Sequence, residues 1–252
     1  GMTRESICVY NDLDPFLRNT RVRNVLTGLI LNQGNLKDAL GMLDEMFEPN
    51  AKFLPNDKTG ILFYEGMLRL DGFWNGVTEE KVVRLVSKFS KKGIFPQSVC
   101  LARLVNKLCR GEKISFARDV LCEIMWCKPR HSSLRKDSEP DVLAFNILLH
   151  HLCKLKRVDE AVAVFEKISS EEGSSRASFV PDVVTYNTLI NGLCKVGRQQ
   201  EGLTLMQRMR SVHGCSPTAI TYNCLMDGFL KANDIKTSKE LLNEMKKEGI
   251  NP

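Results

Sequence analysis

The sequence predicts an all-α chain, a solenoid of stacked helix-turn-helix hairpins, on three observations. Prolines recur in register: Pro55, Pro96, Pro140, Pro181, Pro217 and Pro252 are six of the nine prolines, separated by 41, 44, 41, 36 and 35 residues. A period between about 20 and 50 residues marks a solenoid or an array. The first five of these prolines are each followed by one polar residue (Asn56, Gln97, Asp141, Asp182, Thr218) and then by a segment with helical apolar spacing. Finally, 252 residues with 43% apolar and 26% charged content are enough to bury a core. No apolar run approaches the roughly 18 residues that would cross a bilayer, so no membrane partner is expected.

The units follow in order. Residues 1–19 are expected to be a partial repeat acting as an N-terminal cap, and 20–252 one solenoid. The first unit, 20–56, starts at Thr20, with Asn24, Gly34 and Ala39 aligned to Asn187, Gly197 and Gly202. The second, 57–97, is degenerate, with about six extra residues around 71–76. The third, 98–141, carries Leu108-Cys109-Arg110 where later units have Leu152-Cys153-Lys154 and Leu193-Cys194-Lys195. The fourth and fifth are 142–182 and 183–218, and the sixth, 219–252, is truncated. In the fifth, Tyr186, Leu189, Ile190 and Leu193 fall at i, i+3, i+4 and i+7, one helical face. Gly197 suits the left-handed end of that helix. The fourth unit's second helix has Asp159 and Glu160 in its first turn, as the helix dipole favours. Its apolar stripe is Ala161, Val164, Phe165 and Ile168. Such hairpins bury their apolar faces only by stacking. The polar, Ser-rich stretches 128–139 and 171–179 are expected to leave the stack as loops.

The net charge of +6 is uneven. Between Lys81 and Lys136 there are 14 Lys/Arg and 3 acids, a local +11. Such a block fits a polyanionic partner or a solvated basic face. The nine cysteines are odd in number and none forms Cys-x-x-Cys, against a disulfide scaffold or zinc ribbon. Cys109, Cys153 and Cys194 share one repeat position and are expected as small buried hydrophobes. His150 and His151 face different ways on a helix. There is no His-x-Glu with Cys-x-x-Cys, no Walker loop and no Gly-x-Ser-x-Gly. The expectation is no enzyme, no cofactor and no metal.

One polar residue recurs where helices disfavour it. Asn146, Asn187 and Asn223 follow an aromatic, and Asn24 holds the same place. Asparagine competes for backbone hydrogen bonds and is poor in helix interiors. Its amide carries donors and acceptors, so it can read a base edge; the plain alternative is a helix-start cap.

The run Val183-Val184-Thr185-Tyr186-Asn187-Thr188-Leu189-Ile190-Asn191-Gly192-Leu193-Cys194-Lys195-Val196-Gly197-Arg198 resembles the pentatricopeptide repeat of the P type, a plant organellar RNA-binding helical repeat. The resemblance is strongest over 142–252, fair for 98–141 and 20–56, and weak for 57–97. It implies a right-handed α-solenoid that binds single-stranded RNA without catalysis, in RNA processing, stability or translation. It implies an organelle, the mitochondrion rather than the chloroplast, with the targeting segment outside this sequence. In that family the asparagine and the last residue of the same repeat select one base together. The resemblance therefore pairs Asn24 with Asn56, Asn146 with Asp182, and Asn187 with Thr218, a pyrimidine-leaning set. Asn223 lacks a partner here. Ile61/Gln97 and Ala102/Asp141 depart from the code. Base-sandwiching residues align with Val99, Leu143, Val184 and Ile220, whereas Arg21 and Lys58 stand there in the first two units. Phosphate contacts align with Arg110, Lys154, Lys195 and Lys231, positions that also suit a helix C-terminus. The competing expectation is a protein–protein scaffold on the same solenoid, and the chain is expected as a monomer rather than a dimer.

Overall fold

The computed structural model describes residues 19–69, 79–126, 142–169, 180–212 and 214–251, together with Glu5, Cys8, Tyr10 and Asp12. The described residues form twelve helices in pairs and no strand. The pairs are α1 (Thr20–Asn32) with α2 (Leu36–Glu45), α3 (Asp57–Arg69) with α4 (Glu79–Lys91), and α5 (Ser98–Arg110) with α6 (Ile114–Trp126). They continue as α7 (Val142–Lys154) with α8 (Val158–Ser169), α9 (Val183–Lys195) with α10 (Gln199–Ser211), and α11 (Ala219–Lys231) with α12 (Ile235–Lys247). The loops expected at 128–139 and 171–179, the extra residues at 71–76 and most of the cap at 1–19 lie outside the described residues.

The chain divides into two compact units, 1–138 and 139–252. Within the first, α1 packs on α2 and α3, α3 on α5, α4 on α6, and α5 on α6. Within the second, α7 packs on α8 and α9, α9 on α8, α10 and α11, and α11 on α10 and α12. Each unit is thus a short solenoid in which the first helices of successive hairpins form one row.

A single backbone device closes the hairpins. The residue after the first helix's last turn takes positive φ in five of them: Gly34 (76°), Glu112 (60°), Lys156 (60°), Gly197 (81°) and Asn233 (60°). The next residue's N–H then reaches five residues back. Asn35 bonds Ile30, Lys113 bonds Leu108, Arg157 bonds Leu152, Arg198 bonds Leu193 and Asp234 bonds Phe229, at 2.9–3.2 Å. These bonds satisfy carbonyls that a helix end leaves open. Gly197 takes the conformation at no steric cost, whereas Glu112 and Lys156 accept some strain for it.

The apolar faces meet along the row. Tyr186, Leu189, Ile190 and Leu193 of α9 are buried, as are Phe145, Leu148, Leu149 and Leu152 of α7 and Tyr222, Leu225 and Phe229 of α11. Phe165 of α8 meets Tyr186 edge-on, with ring centroids 5.5 Å apart, a favoured aromatic geometry. The cysteines fill hollows at the junctions. A Cβ added at Gly192 would lie 2.4 Å from the Cys153 sulfur, and one at Gly228 2.9 Å from that of Cys194. Burial pushes these thiols up, to about 11 for Cys153 and about 12 for Cys194. No metal-holding group of His, Cys, Asp or Glu occurs among the described residues.

Ion pairs tie the second helices together. Arg208 of α10 holds Glu166 of α8 at 2.6 Å and lies over the Phe165 ring. Arg210 holds Glu244 of α12 at 2.7 Å. Within the basic block, Lys113 pairs with Glu79 and Lys88 with Asp44, so part of the local positive charge is neutralised by acids outside the block. No helix among the described residues is long and apolar enough to cross a membrane.

Candidate nucleic-acid interface

Asn24, Asn146, Asn187 and Asn223 are the fifth residues of α1, α7, α9 and α11. Asn56, Asp182 and Thr218 immediately precede α3, α9 and α11, so each caps the first helix of the following hairpin. Stacking brings three of them, Asn24, Asn146 and Asn187, onto the cap residue of the next hairpin. Asn24 Nδ2 donates to Asn56 Oδ1 at 3.1 Å, Asn146 Nδ2 to Asp182 Oδ1 at 3.2 Å, and Asn187 Nδ2 to Thr218 Oγ1 at 3.5 Å. Residues 31 to 36 apart in sequence therefore form three equivalent pairs. They are the pairs that the family resemblance couples.

A threonine completes each pair. Thr59, Thr185 and Thr221 are the third residues of α3, α9 and α11. Their hydroxyls donate to the oxygens of Asn24, Asn146 and Asn187 at 2.8, 2.7 and 2.6 Å. Sequence reasoning passed over these threonines, which read as ordinary first-turn residues; their signal is co-occurrence with the asparagine one unit earlier. An amide has two N–H donors and two acceptor lone pairs. The network takes one of each and leaves one of each. That remainder is what a base edge needs. Asn146 and Asn187 are half-buried, Asn223 is exposed and Asn24 is only 5% exposed. Asn24 therefore offers far less of its amide than the asparagines of the second unit.

The second residues of α5, α7, α9 and α11 are Val99, Leu143, Val184 and Ile220, which are 65, 58, 56 and 63% exposed. Scattered exposed apolar side chains are ordinary, but four at one repeat position are a pattern. Arg21 and Lys58, also exposed, hold that position in α1 and α3. At the fifth position of α3 and α5 stand Ile61 and Ala102, which have no hydrogen-bonding side chain. Gln97, before α5, makes no side-chain cap bond, and Asp141 lies outside the described residues.

In the unit 139–252 the features of one junction, that of α9 with α11, line a groove of about 590 Å³. Asn187 lines it with Val184 and Ile220, and Lys154 and Lys195 stand at the same groove. An amide between two exposed aliphatic side chains, with ammonium groups beside it, has the chemistry to hold a flat heteroaromatic ring linked to an anion. Arg110, Lys154, Lys195 and Lys231 are all exposed. Lys231 bonds Asp227 one turn earlier, at 2.5 Å, which lowers its share of any phosphate contact.

The chain is similar to known proteins. Residues 181–231 and 217–252 match the PPR repeat family, and 136–169 match the PPR repeat. A pentatricopeptide repeat-containing protein of Arabidopsis thaliana, named mitochondrial, is 36% identical over 197 residues, 67% of this chain and 25% of that protein. Another from the same plant is 35% identical over the same extent. The chain thus spans about a quarter of the length of these curated relatives. Among solved structures, the pentatricopeptide repeat protein PPR10 from maize covers 100% of this chain at 17% identity and a TM-score of 0.39, with 47% of that protein matched. PPR10 in complex with an 18-nt psaJ RNA element gives 17% identity and a TM-score of 0.38, over 100% of this chain and 49% of that one.

Proposed function

This chain is a pentatricopeptide repeat protein, and we propose that it binds single-stranded RNA, taking one base per competent hairpin. The observation that carries the proposal is the groove of the second unit, where Asn187, paired to Thr218, stands with Val184, Ile220, Lys154 and Lys195. Single-stranded RNA is recognised through splayed bases that are packed and hydrogen-bonded on their edges. The aliphatic side chains supply packing, the remaining amide groups supply edge contacts, and the lysines supply phosphate contacts.

Asn146 with Asp182, Asn187 with Thr218 and Asn24 with Asn56 act as the base-selecting pairs, and the set leans to pyrimidines. Val99, Leu143, Val184 and Ile220 sandwich bases; Arg110, Lys154, Lys195 and Lys231 meet phosphates. The protein works by occupancy rather than by chemistry of its own. It shields, remodels or positions an organellar transcript, and the name of one Arabidopsis relative supports the mitochondrion. Fluorescence anisotropy with short pyrimidine-rich and purine-rich RNAs tests this. Tighter binding of the pyrimidine-rich strand is expected; equal or absent binding of both refutes base selection.

A second reading has its own observation. In the unit 1–138, Ile61 and Val99 are 41 and 65% exposed, and neither the third hairpin nor the second carries the asparagine. Those hairpins suit a protein partner, and capture of one that survives ribonuclease treatment and is lost in an Ile61→Asp, Val99→Asp variant would favour it.

A further inference from the structure

We infer that Thr59, Thr185 and Thr221 fix which way round the asparagine amide faces, and so are positioning residues for base selection. The inference rests on the RNA-binding reading and deepens it. Each threonine oxygen accepts the backbone N–H of the cap residue three positions earlier, from Asn56 at 3.1 Å, Asp182 at 3.3 Å and Thr218 at 3.0 Å. That bond takes one of the hydroxyl's two lone pairs, and its single proton is left to reach another acceptor. In all three cases the nearest acceptor is the preceding hairpin's asparagine oxygen, at 2.8, 2.7 and 2.6 Å. The cap residue's own side-chain oxygen is farther, at 3.1, 2.8 and 3.3 Å. With Oδ1 held there, Nδ2 turns to the cap residue, and the edge left to a ligand is defined. A flipped amide would put Nδ2 at 2.6–2.8 Å from the hydroxyl oxygen, at the short end for an N–H···O bond or below it, and at Asp182 would turn Oδ1 onto a carboxylate oxygen.

The three junctions do not depend on the threonine equally. Asp182 has a carboxylate, which only accepts, so it holds Asn146 Nδ2 without help. Thr218 has a hydroxyl, which donates or accepts, and it lies 3.5 Å from Asn187 Nδ2. The orientation of Asn187 therefore depends on Thr221. The sequence keeps the same rule. Asn24, Asn146 and Asn187 are followed one unit later by Thr59, Thr185 and Thr221, whereas Ile61 and Ala102 are followed by Cys100 and Ala144. The threonine occurs where there is an amide to orient and is missing where there is none.

The test compares Thr221→Val, Thr221→Ser and Thr185→Val. Valine keeps the shape and removes the hydroxyl, and serine restores it. Each protein is titrated by fluorescence anisotropy with single-stranded RNAs in which every base is permuted in turn. Wild type is expected to discriminate about fivefold or more at the base taken by the Asn187 hairpin, in keeping with edge readout elsewhere. Thr221→Val is expected to fall below about twofold there and to retain discrimination at the other bases; Thr221→Ser recovers it, and Thr185→Val keeps most of its own. Unchanged discrimination in Thr221→Val, no recovery in Thr221→Ser, or an equal loss in Thr185→Val overturns the inference. Nuclear magnetic resonance of the Asn187 side-chain amide without RNA separates this from the function itself. Two well-dispersed protons that merge in Thr221→Val and return in Thr221→Ser support orientation even if wild type shows no base preference. Protons that are alike in all three proteins refute it.

Discussion

An amide in the middle of a helix face must find partners or lose stability, and here it finds them in the next hairpin. Asn146 and Asn187 were legible in the sequence because asparagine is out of place at the fifth residue of a helix. The threonines that hold them were not, since a threonine in a first turn is common and its bond crosses 34 to 39 residues. Asn24 shows another limit. Its repeat position matches the others, yet it is 5% exposed, and burial is set by neighbours that no alignment of units reveals. The cysteines follow the same logic of neighbours. Gly192 leaves room for Cys153, so Gly192→Ala is expected to destabilise the chain by about 1–3 kcal/mol, the usual effect of overpacking a close-packed site. Cys153→Ala in the same chain should recover part of that loss. Urea unfolding measures both; a Gly192→Ala variant as stable as wild type would contradict the contact.

At the scale of the element, one residue performs two tasks. Asp182 accepts the Thr185 N–H at 2.8 Å and so caps α9, while the same oxygen accepts from Asn146. Asp182→Ala should cost about 1 kcal/mol from the cap and also alter base selection. Asparagine caps about as well as aspartate, so Asp182→Asn should keep the stability and change only the base preference. Loss of stability without any change in preference in both variants would separate the tasks and contradict the shared site. The helices themselves were well marked in the sequence. Proline spacing set the register, and the i, i+3, i+4, i+7 faces set the buried side, with Leu189 and Ile190 both fully buried. The turn was marked only at Gly34 and Gly197; Glu112 and Lys156 hold the same left-handed conformation without glycine and gave no local signal. The ties between second helices, such as Arg208 with Glu166 at 2.6 Å, were also illegible, because exposed charges pair by stacking geometry and not by spacing in sequence.

At the scale of the whole chain, each of the two units is built of hairpins that pack on the next within that unit, and on the proposed reading binding is built up hairpin by hairpin. On the proposed reading, the exposed cations at one repeat position meet phosphates, and affinity is then expected to depend on salt through counterion release. Four full contacts on a single strand give a log–log slope of about −3, and the Lys231–Asp227 bond moves it toward about −2. Anisotropy over a fourfold range of salt measures it, and a slope near zero would remove the phosphate role. The basic block between Lys81 and Lys136 was a coarser guide, since Lys88 and Lys113 are already paired with Asp44 and Glu79.

The central claim is that successive amides each take one base. Its most direct test is Asn146→Ala, titrated against RNAs with one base permuted at a time. Base preference should vanish at a single position, at a cost of about 1–3 kcal/mol for the preferred base there, and persist at the rest. An equal loss for every RNA, or a full set of preferences left intact, would contradict it.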